Sequence, residues 1–480
     1  MSPSSALGPS RRSLRLRLLA LPIPLLLAAC AAPSGPAAFA PVAEQVQARS
    51  GLRPVWPRTP ADEAAAEARS AELLAQPLGL DQALALSLLK HRGLQARFEA
   101  LGLAQAELLQ ATRLPNPSLS VGRFRQGDET EIELRLGIDL LRLALTPWLR
   151  PLAEADFAAR QQALAAEVLA HLAAVRQAWI EAVAAEERLH YRRQIREAAE
   201  AGAELARRMA EVGNFNALRR AREQAFHAEA TLRLAQAEQA AQARREALIR
   251  AIGLWGEDTA LRLPDRLPPL PAQPAEQPDI ERQAMASRLD LQAARQAVQQ
   301  AAARLGLTRP TRWVNVLQLG LERDRPETGP DRRGTELRFE LPLFDSGQAR
   351  LAQAEARHRI ALQQAAQLAV EARSEVREVY GAYRHAHDIA TLHQAELLPL
   401  AQRIVDEQLL RYNGMLVGVF ELLADARAQV AAVEAAMDAR RAFWRADAAL
   451  AQALVGRPLA APVSIDSPPA APAPAAAGGH

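Results

Sequence analysis

The sequence predicts a mainly α chain with membrane β-structure: an internally duplicated unit that supplies four strands to a trimeric 12-stranded β-barrel continued by a long α-helical barrel. Three observations carry this. Two short regions, 117–141 and 312–344, alternate apolar and charged residues with a period of two, as strands with one oily and one wet face do. Two helical patterns, 150–211 and 347–411, are too long for a globular domain; the first alone would stretch about 93 Å at about 1.5 Å per residue. The order of landmarks also repeats. Leu94-Gln95-Ala96 returns as Leu291-Gln292-Ala293, 197 positions on, and Gly213 returns as Gly414, 201 positions on.

The chain opens with Arg11, Arg12, Arg15 and Arg17 ahead of the apolar run 18–29, which has the build of a secretory signal and is too short to remain as a spanning helix. That run ends in Leu27-Ala28-Ala29-Cys30, and Cys30 is the only cysteine, so no intrachain disulfide can form. Residues 1–29 are therefore expected to be a signal peptide, and 30–78, rich in Ala and Pro, an extended N-terminal strap.

The first repeat, 79–255, is expected to hold a helix over 80–112, the hairpin 117–141, the long helix 150–211 entered through Pro147 and Pro151, and a return helix 215–252. Leu114-Pro115-Asn116-Pro117 stops the first helix, and Gly213 and Asn214 supply left-handed conformations at the helical turn. In the first strand Leu119 and Val121 share their side with Arg123 and Arg125; in the second, Ile132, Leu134, Leu136 and Ile138 oppose Glu131, Glu133, Arg135 and Asp139. A Pro-rich connector, 256–278, leads to the second repeat, 279–457, with its hairpin 312–344, long helix 347–411 and return helix 415–455. Its strands place Leu317, Leu319, Leu321, Leu337 and Phe339 opposite Glu322, Asp324, Glu336 and Arg338. Asn413-Gly414 forms the second turn, and Pro342 to Gly347 joins the last strand to its helix. From Val376 to Ile404 the long helix carries apolar and small positions at alternating spacings of three and four, a coiled-coil seam that Pro399 should bend locally. The tail 458–480 is Ala/Pro-rich and expected to be disordered.

Four amphipathic strands cannot close a barrel, and open edges in hydrocarbon leave backbone groups unpaired at several kcal/mol each. Two copies would give eight strands with an interior filled by side chains; three give twelve and room for water, which the charged positions Glu133, Arg135, Arg338 and Glu340 favour.

Composition narrows the rest. The 58 basic and 55 acidic residues leave a net charge of +3, spread along the chain, which argues against a dedicated nucleic-acid surface. His385 and His387 are two apart and point about 200° apart on a helix, so they and His393 are not expected to bind metal. No phosphate-binding Gly loop, nucleophile triad or Cys pair is present, so neither catalysis nor a cofactor is expected.

The stretches LDQALALSLLKHRGLQA (80–96), FELPLFDSGQARLAQAEA (339–356) and RYNGMLVGVFELLADARAQ (411–429) resemble the TolC-type outer-membrane efflux family, and the duplication extends the match from Leu80 to Pro458. The first strand-to-helix join departs from it, with Asp139-Leu140-Leu141 where the second half has Pro342 to Gly347. The resemblance implies a homotrimer whose helical barrel is periplasmic, working as the exit duct of a tripartite efflux or secretion system with a periplasmic adaptor and an inner-membrane pump of the RND type. It implies a periplasmic constriction at Glu421 and Asp425, where three copies of each carboxylate would repel one another. Arg219, Arg220 and Arg222 at the first turn either pair with those acids or contact a partner. The end of the signal resembles a lipoprotein cleavage site, which implies lipidation of Cys30, and Ala31 after it implies sorting to the outer membrane. An adaptor or a structural envelope coiled coil would share the lipoprotein and helical features but not four lipid-type strands. Drugs, metal ions and proteins all stay open as cargo.

Overall fold

A computed structural model describes residues 35–213 and 216–456. Helices α1 (Gly35–Ser50) and α2 (Pro60–Leu74) come first, then α3 (Leu80–Lys90), α4 (Arg92–Thr112), strands β1 (Ser118–Gln126) and β2 (Glu129–Asp139), α5 (Leu140–Glu211) and α6 (Ala217–Ile252). The second half repeats the order with α7 (Ile280–Ser287), α8 (Leu289–Thr311), β3 (Leu317–Pro326), β4 (Arg332–Phe339), α9 (Gln348–Leu392), a π turn (His393–Leu397), α10 (Leu398–Asn413) and α11 (Val419–Val455). The four strands make one antiparallel sheet in the order β1-β2-β3-β4, so the two hairpins of the duplication pair with each other through β2 and β3.

The expected extended strap is instead helical in two places. In α1, Phe39, Val42, Ala43 and Val46 recur at helical spacing and are buried, with Phe39 edge-on to Phe98 at 4.8 Å and to Trp56 at 5.6 Å. In α2, Thr59 and Asp62 form a reciprocal capping box with Pro60 in the first turn, which starts a helix despite the prolines around it. The main core gathers these helices with α3, α4 and the middle of α5, around Phe98, Leu172, Trp179 and Val183.

The pre-strand helices are also broken where one continuous helix was expected. His91 and Arg288 sit 197 apart, each in extended backbone, ending one helix and beginning the next. The Arg288 side chain is fully buried and joins Asp290, Glu375 and the Ala453 carbonyl, which fastens this break to α9 and α11. The connector is held to α9 and α11 by hydrogen bonds: its backbone amides at Ala275 and Gln277 donate to the Tyr383 and Tyr380 hydroxyls, and Trp444 donates to the Pro268 carbonyl at 3.0 Å.

The two strand-to-helix joins differ as the sequences do. After β2 the helix begins at once, ten residues before the expected start, because Asp139 accepts the Arg142 amide at 3.0 Å as an N-cap; Pro147 and Pro151 lie inside the helix. After β4 an eight-residue connection intervenes and ends at Gly347, which has φ +71 and lies so close to β3's root that a Cβ would stand 2.5 Å from the Arg312 carbonyl oxygen. Just before Pro399, where a bend was expected, the helix widens into the π turn, in which the Leu398 amide donates to the His393 carbonyl.

Candidate functional site: the sheet and the helical tip

The register decides what each face of the sheet carries. Leu119, Leu136, Leu321 and Thr335 form one row, and Ile138, Leu319 and Leu337 another, all on the same side. Arg135, Glu322, Glu133, Asp324 and Glu336 fall on the opposite side, where Arg135 Nε pairs with Glu322 at 2.6 Å and lies 3.8 Å from Glu336. The charged side chains shelter one another, while Ile132, Leu134, Leu136, Leu321 and Leu337 stand exposed without partners from the rest of the described chain. A sheet with one oily and one charged face and two unpaired edges suits a bilayer wall with water behind it.

At the far end, the helical turns form the tip. Gly213 has φ +78 and takes the left-handed position of the first turn; Asn214 lies outside the described residues, as do Cys30, the signal peptide and the C-terminal tail. Asn216 caps α6 by accepting the Arg219 amide at 2.8 Å. In the second turn Asn413 ends α10, and Gly414 has φ −76; the left-handed residue is Met415, with φ 57. The Leu416 amide donates to Arg411 and the Met415 amide to Tyr412, both at 2.9 Å, which is the Schellman pattern with methionine where glycine usually sits.

Glu421 lies exposed in the first turn of α11 and Asp425 is half-buried one turn on. Among the described residues no ion pair links Arg220 or Arg222 to either acid. The two turns are joined with the reverse polarity. Glu223 of α6, buried, accepts two bonds from Arg427 of α11 at 2.9 Å, and the same guanidinium lies 4.2 Å over the Phe226 ring. Arg222 lines the groove of about 410 Å³ beside this pair, together with Arg192, Phe226 and Glu434.

That pair is the last rung of a ladder the sequence reading missed. Arg176–Asp447 at 3.9 Å, Glu181–Arg445 at 3.4 Å, Glu187–Arg440, Arg188–Asp438 and Arg192–Glu434 tie α5 of the first repeat to α11 of the second along the rod. Burial raises the Asp447 carboxyl above its usual range, against the pull of Arg176. The partners stand about 250 residues apart, so only the charge density of α5 and α11 hinted at them. His387 is buried, with Nε2 3.0 Å from the Pro271 carbonyl and its ring against Phe443; His385 is on the other side of the helix.

The sheet joined to a paired-helix rod of this length has counterparts among solved structures. The chain superposes on the Campylobacter jejuni CmeC outer membrane channel with a TM-score of 0.67 at 17% identity, covering 78% of this chain and 85% of that one. The chain has the TolC-type outer-membrane channel fold. The outer membrane protein VceC from Vibrio cholerae matches at TM-score 0.63 and 17% identity over 82% of this chain and 96% of that one. The open state of the Neisseria gonorrhoeae MtrE outer membrane channel matches at 0.64 and 18% over 78% and 89%. These counterparts are channels rather than enzymes. The sequence matches no protein-family model and no curated protein. At such low identity the channel fold is carried by the alternation, helix lengths and duplication, and the tip residues must be judged on their own geometry.

Proposed function

We propose that this protein is the outer-membrane channel of a tripartite efflux or secretion system, a passive exit duct from periplasm to exterior. Three copies join β4 of one chain to β1 of the next, giving a twelve-stranded barrel with the leucine face to lipid and the charged face to water, continued by a periplasmic helical barrel. The observation that carries this is the open sheet: in hydrocarbon its β1 and β4 edges must be paired, and only further copies offer matching strands. The coiled-coil seam gives independent support. Val376, Tyr383 and Ala390 are covered within the chain, whereas Leu397 at the end of the π turn and Leu400 and Ile404 beyond it are 41–51% exposed and ready for a neighbour.

In this reading residues 1–29 are removed, Cys30 carries lipid, and the tip meets a periplasmic adaptor and an RND-type inner-membrane pump. Glu421 and Asp425, three copies of each, form the constriction, and the Arg427–Glu223 clasp holds each subunit's two turns together beside it. Arg219, Arg220 and Arg222 face the adaptor. The test is electrophoresis of detergent-extracted protein with and without heating, then conductance in a planar bilayer. A heat-sensitive trimer that conducts ions is expected, with E421Q/D425N weakening its cation preference. A water-soluble monomer without conductance would overturn the assignment.

A further inference from the structure

The leucine face of the sheet does not stay apolar to its end. Moving from the helical rod toward the hairpin turns, the row Leu119, Leu136, Leu321 and Thr335 is followed by the row Val121, Leu134, Arg323 and Arg333, then by Arg123, Ile132 and Arg325, then by Arg125 and Thr130. Five arginines thus stand on the side that carries the leucines below them, within two or three rows of the turns. The opposite side at the same height carries Glu131, Glu133 and Asp324 beside Arg332, so it is mainly acidic and the five arginines are not part of a uniformly basic tip.

We propose that these five arginines grip the phosphates of lipid headgroups in the outer leaflet around the barrel. This rests on the channel reading, which sets the hairpin turns at the exterior. An arginine on the lipid side is costly at mid-bilayer and nearly free at the interface, so the change from leucine to arginine marks where hydrocarbon ends. The guanidinium fork matches two phosphate oxygens. The protein supplies few competing anions on that side. Asp331 alone pairs there, with Arg323 at 2.9 Å and Arg325 at 3.5 Å, and Arg125 donates to the Gly127 carbonyl at 3.2 Å. Arg123 and Arg333 are exposed and have no ion pair among the described residues. Lipid is the occupant favoured over a protein partner because the arginine rows continue the lipid belt without a break.

The full-length protein would be purified in mild detergent and given mixtures of phosphatidylcholine with a phosphatidic acid or a diphosphorylated glycolipid, and the lipids it retains counted by native mass spectrometry. The wild type should retain the phosphomonoester lipids about tenfold over phosphatidylcholine, a preference worth about one charged hydrogen bond. R123Q/R323Q/R333Q should retain both alike, while R123K/R323K/R333K, which keeps the charge but not the fork, keeps only part of the preference. Equal retention by the wild type, an undiminished preference in the Gln variant, or a preference abolished by free inorganic phosphate at equal concentration would overturn the proposal. A Gln variant that does not fold shifts the decision to R333Q alone, whose preference should fall part-way and whose unchanged preference would also overturn it. Conductance is measured in parallel: loss of channel activity in the wild type would sink the channel reading, whereas normal conductance with no lipid preference sinks only this inference.

Discussion

Removing the Arg288 side chain should destabilise the second repeat more than removing any exposed arginine. The guanidinium is wholly buried, donates to Asp290 at 2.8 and 3.1 Å and to Glu375 at 3.0 Å, and reaches the Ala453 carbonyl at 3.2 Å. Loss of one member of a buried ion pair costs about 3–5 kcal/mol. The carboxylates are 15% and 31% exposed, so water relieves part of that, and Arg288→Met should cost about 3 kcal/mol. For a chain of 480 residues the unfolding entropy is about 1 kcal/mol per kelvin, so the melting temperature should fall by about 3 °C. The assay is calorimetry of the detergent-solubilised protein, run for Arg288→Met, Glu375→Gln and both together. The double variant should be less destabilised than the two losses added, because Glu375 no longer lacks its cation. A melting temperature within about 1 °C of the parent, or strict additivity, would refute the claim that charge pairing holds this break.

Three further outcomes follow from the backbone and from one histidine. Met415→Gly should relieve the left-handed strain and stabilise the tip by about 1 kcal/mol, read as roughly fivefold slower hydrogen exchange at the amides of Met415 and Leu416; unchanged exchange would contradict it. Gly347→Ala should cost at least about 1 kcal/mol more than Gly213→Ala, since both have positive φ but only Gly347 meets backbone within 4 Å; denaturant midpoints compare them, and equal losses would refute the close approach. Burial, then His91 with its ring 4.3 Å away and Arg97, lower the His171 imidazole to about 3. An unfolded histidine titrates near about 6.5, so below that pH the unfolded chain binds the extra proton and the folded state loses up to about 1.4 kcal/mol per pH unit. The stability difference between wild type and His171→Gln should therefore be flat above about pH 7 and shift against the wild type below it; a difference constant down to about pH 4 would contradict the burial account.

What could be read in advance follows from the range of the interactions. Alternation in the strands is local, and the register then set Leu136 against Leu321 and Arg135 against Glu322 across the duplication. The 197-residue offset was legible at Leu94 and Leu291, yet it also relates His91 to Arg288, whose breaks were not foreseen because neither is Pro or Gly and the apolar period runs through both. The helices of 35–74 were hidden by their prolines, although the Thr59-Pro60-Ala61-Asp62 capping box and the Phe39, Val42, Val46 spacing were present. At the tip Gly414 drew attention as the turn residue, but the chain passes it in ordinary backbone and uses Met415; which residue takes the left-handed position depends on where α10 ends, a matter of one residue. The ladder from Arg176–Asp447 to Glu223–Arg427 needs the packing of distant helices and leaves no local signature.

Two unmet demands lie at opposite ends of this molecule. At one end β1 and β4 have one paired edge each; at the other, the seam of α9 and α10 is covered by α11 and α7 only as far as Ala390. Each could have its own remedy, a fifth strand or a lid helix, but the described chain supplies neither. In the proposed ring a single rotation would meet both, since a copy that paired its β1 with β4 would also bring a second rod toward Leu400 and Ile404. A substitution of Ile404 by Glu is therefore expected to weaken association of the copies about as an edge-strand proline in β4 does, although the two sites lie at opposite ends of the rod. If I404E left the heat-sensitive oligomer intact while a proline at Leu337 abolished it, the seam would belong to some other partner and only the sheet would speak for the ring.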